Sequence, residues 1–373
     1  MGARPVTRLL GSLSLGSFLL LSSCMGGGGG GSGGGSLPST TYTPPSSSST
    51  SVVATKGTDI AVDPSNNVWV VVTDGVMEIP MGTTSCATTT DCPIISLTFT
   101  PAGIAADGSS NIWVTDDTSS GSVTEITSAA VSNASCSSCN TYNTSGYFSS
   151  PVGIAADGSG NIWVTNNSGN SVTEITSTAI KNASCSFSCT TFSNSSTSYF
   201  SSPLGIVADG SGNIWVTNDT SSGSVTEITS TATSCSSSSS CPTYPGFSNP
   251  VAVTAPEKND VPTSGGSPWV ANYSGGSLAE MDSTCSSQSG CPVIKGFEHP
   301  VALAFDPSGN LWAVDAGTSQ LYDITANAIA NASCVSASCY FYSLPAVPLG
   351  VASDGLGNIW VTLQNGQVIK FTP

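Results

Sequence analysis

Seven tryptophans set the frame of this chain. Trp69, Trp113, Trp163, Trp215, Trp269, Trp312 and Trp360 are all the tryptophans present, and they follow one another at intervals of 44, 50, 52, 54, 43 and 48 residues. Each sits in a near-copy of one pentapeptide: NVWVV, then NIWVT three times, SPWVA, NLWAV and NIWVT again. Self-similarity at a fixed period means one supersecondary unit, copied and stacked on its neighbours.

The unit reads as strands. In the third copy, "GIAAD" is a short apolar run and "GSGN" a turn of residues that tolerate unusual backbone angles. "NIWVTN" is β-branched and aromatic, "NSGN" turns again, and "SVTEIT" alternates. A fourth segment follows a pair of cysteines, as in "CPIISLTF" and "CPVIKGF". Helical periodicity is limited to a single turn in "TSTAIKNAS" and "TANAIANAS". The expected fold is all-β, a seven-bladed β-propeller of four-stranded blades spanning residues 51–373. The last unit ends at Pro373 without a fourth segment, and "SVVATK", Ser51 to Lys56, stands alone before the first. We therefore expect an N-terminal strand to complete the last blade and close the ring, since an open edge would invite aggregation.

Residues 1–23 have the form of an export signal: Arg4 and Arg8, the apolar run "LLGSLSLGSFLLL", then "LSSC". "LSSC" resembles a bacterial lipobox, which implies cleavage before Cys24 and a lipid on that cysteine. With Met25 next, the destination would be the outer membrane of a Gram-negative host, facing periplasm or exterior. Residues 24–50 read as the lipidated cysteine and a Gly/Ser/Pro-rich tether. After processing, five lysines and no arginine stand against 23 acids, a balance of −18. Such a chain repels nucleic acid and lacks bidentate phosphate clamps. Only 8% of residues are charged, so the surface is mostly Ser, Thr, Asn and Gly and loses little in acid. Once Cys24 is set aside, twelve cysteines fall in six close pairs: Cys86 with Cys92, Cys136 with Cys139, Cys185 with Cys189, Cys235 with Cys241, Cys285 with Cys291 and Cys334 with Cys339. Export and regular pairing point to local disulfides; the varied spacings and single histidine argue against zinc.

The repeat "GIAADGSGNIWVT" with "SVTEIT" is similar to NHL-type repeats, and in particular to the streptogramin lyase (virginiamycin B lyase) family of propellers. The resemblance implies an elimination that opens a cyclic depsipeptide at an ester, using a His before the "GI" pair, a Glu fourteen residues on, and a magnesium ion. Here the first position holds Thr58, Ala102, Val152, Leu204, Val301 and Leu349, and the second Val72, Asp116, Asn166, Asn218, Asp315 and Leu363, with Asn272 in the fifth unit. No unit pairs His with Glu. The single histidine, His299, lies two residues before Val301, and with Glu298 and Asp315 it forms the best acid/base candidate. Strand alternation puts the a–b turns and the cysteine loops on one face, and the d–a connections and b–c turns on the other. That second face collects Asp116, Asn166, Asn218, Asn272 and Asp315, either as a polar-ligand site or as turn starters. "DGSGN" reads as a turn rather than a calcium loop. The recurrent acids Glu78, Glu125, Glu174, Glu227 and Glu280 are either buried beside hydroxyls or face solvent. The leading expectation is a monomeric, lipid-anchored binding or scaffold propeller that needs no cofactor and meets an envelope protein or polar ligand; the alternative is a magnesium-dependent lyase or hydrolase.

Overall fold

The computed structural model describes residues 36–44, 60–73, 75–186, 188–194, 198–256, 266–334 and 338–373. Its strands form seven four-stranded antiparallel sheets, each ordered a-b-c-d. The third blade is typical: Pro151–Ala156, Ile162–Asn166, Ser171–Ile175 and Cys189–Ser193. First strands of successive blades lie side by side, as expected for sheets arranged around an axis.

The turn "DGSGN" recurs because one carboxylate organises it. In blade 3, Asp157 Oδ1 accepts the N–H groups of Ser159 and Asn161, while Oδ2 accepts Asn161 Nδ2 and Trp163 Nε1, all at 2.8–2.9 Å. Asp63, Asp107, Asp209, Asp306 and Asp354 hold Trp69, Trp113, Trp215, Trp312 and Trp360 in the same way. The asparagine then reaches on: Asn161 Oδ1 accepts the N–H of Ser177 beyond the third strand. A buried indole N–H needs a partner, so Asp, Asn and Trp travel together in the repeat. This is turn chemistry, as expected.

Two further devices join blade to blade. Thr165 Oγ1 donates to Leu204 O of the next blade at 2.9 Å and accepts Gly153 N–H at 2.8 Å; Thr115 donates to Val152 O likewise. A Cβ on Gly153 would run into the Leu204 carbonyl, so the "G" of "GI" is the close approach of two first strands. The second device is the cystine. All six expected disulfides are formed: Cys86 to Cys92, Cys136 to Cys139, Cys185 to Cys189, Cys235 to Cys241, Cys285 to Cys291 and Cys334 to Cys339. Each packs in the core cluster of the preceding blade's tryptophan. Cys86 and Cys92 lie with Trp360, Cys136 and Cys139 with Trp69, and Cys185 and Cys189 with Trp113. Cys235 and Cys241 lie with Trp163, Cys285 and Cys291 with Trp215, and Cys334 and Cys339 with Trp269. In three loops a five-residue helix precedes the cystine, N-capped by Thr127, Thr176 or Thr325.

Ring closure is as expected, but the closing strand lies elsewhere. Ser39–Tyr42 pairs antiparallel with Val368–Phe371 as the fourth strand of blade 7. It falls inside the segment read as tether, so the propeller includes residues 39–42, ahead of the boundary expected at residue 51. Ser51–Lys56, Cys24 and the signal lie outside the described residues. The physical reason is Tyr42, 2% exposed, whose ring meets Trp360 at 5.2 Å. Tyr142 on Trp113 and Phe192 on Trp163 fill the same place in blades 2 and 3. Where six blade junctions carry a cystine, the junction over Trp312 is packed by Leu37, Phe371 and Tyr342.

Candidate functional site

The face made by the d–a connections and b–c turns carries the ligand-face and acid/base candidates Asp116, Asn166, Asn218, Asn272, Glu298, His299 and Asp315. Most of them are turned inward. Asn166 is 1% exposed; its amide nitrogen donates to Tyr147 O, Ser171 Oγ and Thr173 Oγ1, and its oxygen accepts Ser149 N–H. Asn218 repeats this with Tyr199 O, Ser224, Thr226 and Ser201 N–H. Asn272 accepts Ser248 N–H at 2.7 Å and donates to Ser277. These three amides tie the d–a connection to the end of the second strand. Asp116 is half-buried and accepts the N–H of Thr118 at 3.3 Å as an ordinary turn starter.

Asp315 occupies the same position in blade 6 and is fully buried. Its carboxylate accepts four backbone N–H groups: Glu298 at 2.7 Å, His299 and Gly317 at 2.9 Å, and Thr318 at 3.3 Å. The structure thus brings Glu298, His299 and Asp315 together, but through the main chain. The imidazole of His299 instead stacks on Tyr273 of blade 5, with ring centroids 4.4 Å apart and planes 14° from parallel; its Nδ1 is 3.4 Å from Tyr273 O. Glu298 is exposed and lies over Gly317, where a Cβ would meet its side chain.

The sequence reading missed Tyr273 and Asp219. Burial pushes the Tyr273 hydroxyl above its usual range, and the charges of Asp315, Asp219 and Glu298 add to this. Burial likewise raises Asp219, opposed by the Asn249 amide that donates to it at 3.1 Å. Asn249 in turn accepts Ser274 Oγ at 2.8 Å. The result is a stacked aromatic pair framed by carboxylates at the junction of blades 4, 5 and 6. A flat aromatic surface with negative charge around it can hold a cationic or amide-bearing group. One signal was available: among the second strands, only blade 5 is followed directly by an aromatic.

At the positions where the resemblance would place His, Ala102, Val152 and Leu204 are buried and Val301 and Leu349 half-buried, all of them apolar, while Thr58 lies outside the described residues. These residues do not fit a magnesium-assisted elimination. Among the described residues no three His, Cys, Asp or Glu side chains are grouped to hold a metal.

No protein-family model matches the chain, and no curated protein matches it. Solved structures do. A streptogramin B lyase superposes with a TM-score of 0.67 at 15% identity, covering 90% of this chain and 97% of that one. A catalytically inactive virginiamycin B lyase from Staphylococcus aureus with quinupristin gives 0.67 at 16% identity, covering 91% and 100%. The WD40 β-propeller domain of Doa1 gives 0.59 at 10% identity, covering 86% and 96%. At such identities the likeness concerns architecture, and the chain is a seven-bladed β-propeller of the form that these lyases share.

Proposed function

We propose that the protein is an extracytoplasmic propeller, lipid-anchored through Cys24, that binds a partner at its connection face around Tyr273 and His299. The observation that carries this reading is the Tyr273–His299 stack framed by Asp219 and Glu298. Around it, the second-strand ends Asn166, Asn218, Asn272 and Asp315 are taken up by hydrogen bonds from the d–a connections. Six cystines suit an oxidising compartment, and no helix among the described residues is long and apolar enough to cross a membrane. The acid excess disfavours nucleic acid. A single chain closes its own ring, which suits a monomer. The partner is an envelope protein or a polar ligand presenting cationic or amide groups.

The test is capture from envelope extracts with the wild-type protein and with Tyr273→Ala and His299→Ala. A partner retained by the wild type and lost by both variants supports the reading, and equal retention by all three sinks it. The lyase reading rests on the shared architecture; magnesium-dependent opening of a streptogramin B depsipeptide, abolished in His299→Ala, would replace the binding reading with it.

A further inference from the structure

The closing strand fixes which face of the propeller meets the chain that precedes it. Ser39 lies opposite Phe371 and Tyr42 opposite Val368. The third strand of blade 7 runs from the connection face toward the face of the a–b turns and cysteine loops. Antiparallel pairing therefore brings the N-terminal segment in at the cysteine-loop face. It is pinned there twice: Thr372 N–H donates to Pro38 O at 3.1 Å, and Leu37 packs into the cluster around Trp312. Leu37 is only thirteen positions after Cys24. Fully extended, that length of chain reaches about 45 Å.

From this geometry we infer that the cysteine-loop face at the junction of blades 7 and 1 rests on the lipid bilayer, leaving the Tyr273–His299 face directed away from it. This rests on the Cys24 anchor proposed above and names the surface that the anchor engages. Turning the connection face to the membrane would send the tether past the outer edge of blade 7. A four-residue strand and its turns take roughly 20 Å of that path, close to half of the full reach.

The side chains at this junction suit lipid. Met81 and Leu356 are the exposed large hydrophobics among the described residues, at 58% and 67%. Both lie on the cysteine-loop face, Met81 in the loop after the third strand of blade 1 and Leu356 in the a–b turn of blade 7. They flank the entry point. Tyr42 OH donates to Thr83 O in the Met81 loop at 2.8 Å, and Gly355 N–H donates to Asn66 Oδ1 across the blade 7–blade 1 junction at 2.6 Å. Acids that would oppose contact are mostly turned in: Asp63 and Asp354 are 5% and 3% exposed, each holding its indole. Asp91 is exposed on the same loop and accepts from Thr88. Two apolar side chains are a weak membrane contact alone and suffice only beside a covalent lipid.

The test uses the processed full chain in vesicles of phosphatidylethanolamine and phosphatidylglycerol. The photo-crosslinking residue p-benzoylphenylalanine is placed at Leu356 or at Gln364, the latter exposed on the connection side of the same blade. Lipid adducts are counted by mass spectrometry. We expect position 356 to give about tenfold more adduct than position 364, and Met81→Ser to lower the yield at 356. Equal yields, or more at 364, overturn the orientation. The mass of the Cys24 peptide reports the anchor separately. If it carries no acyl chain, coupling its thiol to a maleimide phospholipid still measures the orientation, so the two failures are distinguishable.

Discussion

The pairing of tryptophan with acid predicts a propeller that is more stable in acid than at neutrality. Across the second and third strands, Trp69 lies opposite Glu78, Trp113 opposite Glu125, Trp163 opposite Glu174, Trp215 opposite Glu227, Trp269 opposite Glu280 and Trp312 opposite Asp323. In five of these blades the indole is also held by a turn aspartate, so two carboxyls flank one ring and repel. Burial first, and then the charge of Asp63, pushes Glu78 from its ordinary 4.5 to about 7. Burial and Asp306 push Asp323 from 3.8 to about 6. Glu125, Glu174, Glu227 and Glu280 are raised in the same direction, chiefly by burial; Asn140, Tyr142, Tyr244 and Ser267 oppose this by hydrogen bonding, while Asp107, Asp157, Asp209 and Asp282 add to it. A carboxyl raised in the fold keeps a proton that the unfolded chain has released. Its stabilisation is complete below the unfolded value and is lost as the pH rises through the folded value. At about 1.4 kcal/mol per unit, the unscreened shifts of Glu78 and Asp323 together approach ~6 kcal/mol. Both side chains are partly exposed, and solvent screening leaves roughly 2–3 kcal/mol. For a propeller of this size, at about 2.1 cal/mol/K of unfolding entropy per residue, that lowers Tm by roughly 3–4 °C between pH 4 and pH 8. Calorimetry with the disulfides intact measures it. Glu78→Gln should raise Tm at pH 8 and leave it almost unchanged at pH 4. A Tm that is flat or rises with pH, or a Glu78→Gln shift equal at both values, would refute the reasoning.

Other substitutions test the architecture directly. Asp354→Ala strands the N–H donors of Leu356, Asn358 and Trp360 and should cost about 2–4 kcal/mol in urea unfolding. Gly153→Ala should destabilise by about 1–3 kcal/mol through its clash with the Leu204 carbonyl, whereas Gly158→Ala, which meets nothing within 4 Å, should stay within about 0.5 kcal/mol. Tyr42→Ala should cost about 3–5 kcal/mol and free the edge of blade 7, read as a lower Tm and as self-association in size-exclusion chromatography.

The fold was legible because the tryptophan context repeats with its turn, and the turn has a single chemical purpose. The cystines were legible too, because each pair is close in sequence, down to Cys136 with Cys139 and Cys334 with Cys339. The position of the closing strand was not, for a reason visible in four residues. "STTY" at Ser39–Tyr42 matches the "NTY" of blade 2, the "TTF" of blade 3 and the "PTY" of blade 4. It lies between Gly-rich and Ser-rich runs whose composition hides it. The ring of Tyr42 on Trp360 and the pairing of Ser39–Tyr42 with Val368–Phe371 distinguish a strand from a tether here. The direction of Asn166, Asn218 and Asn272 was hidden for another reason. The first strand of each of these blades shifts register just after its proline, as between Pro151 and Ile154. That irregularity lies where the d–a connection folds over the amide, and strand alternation alone cannot show it. Likewise, nothing in the spacing of Tyr273 and His299, 26 residues apart, announces a stacked pair.

The position just after the second strand shows where specificity can reside. The last residue of that strand is hydrogen-bonded to the d–a connection in blades 3, 4, 5 and 6, so changing it would damage the fold first. The next residue is Thr73, Asp117, Asn167, Asp219, Tyr273, Ala316 and Gln364 in successive blades. A position that accepts a hydroxyl, acids, amides, an aromatic and a methyl is not dictated by the architecture. It recurs on the connection face around the ring, and at blades 4 and 5 it supplies Asp219 and Tyr273. Replacing the Asp315 carboxylate, which holds four backbone N–H groups, would therefore lower stability and binding together. Tyr273→Ala should leave Tm within about 2 °C while removing partner capture, because it changes a residue that the propeller does not need in order to close.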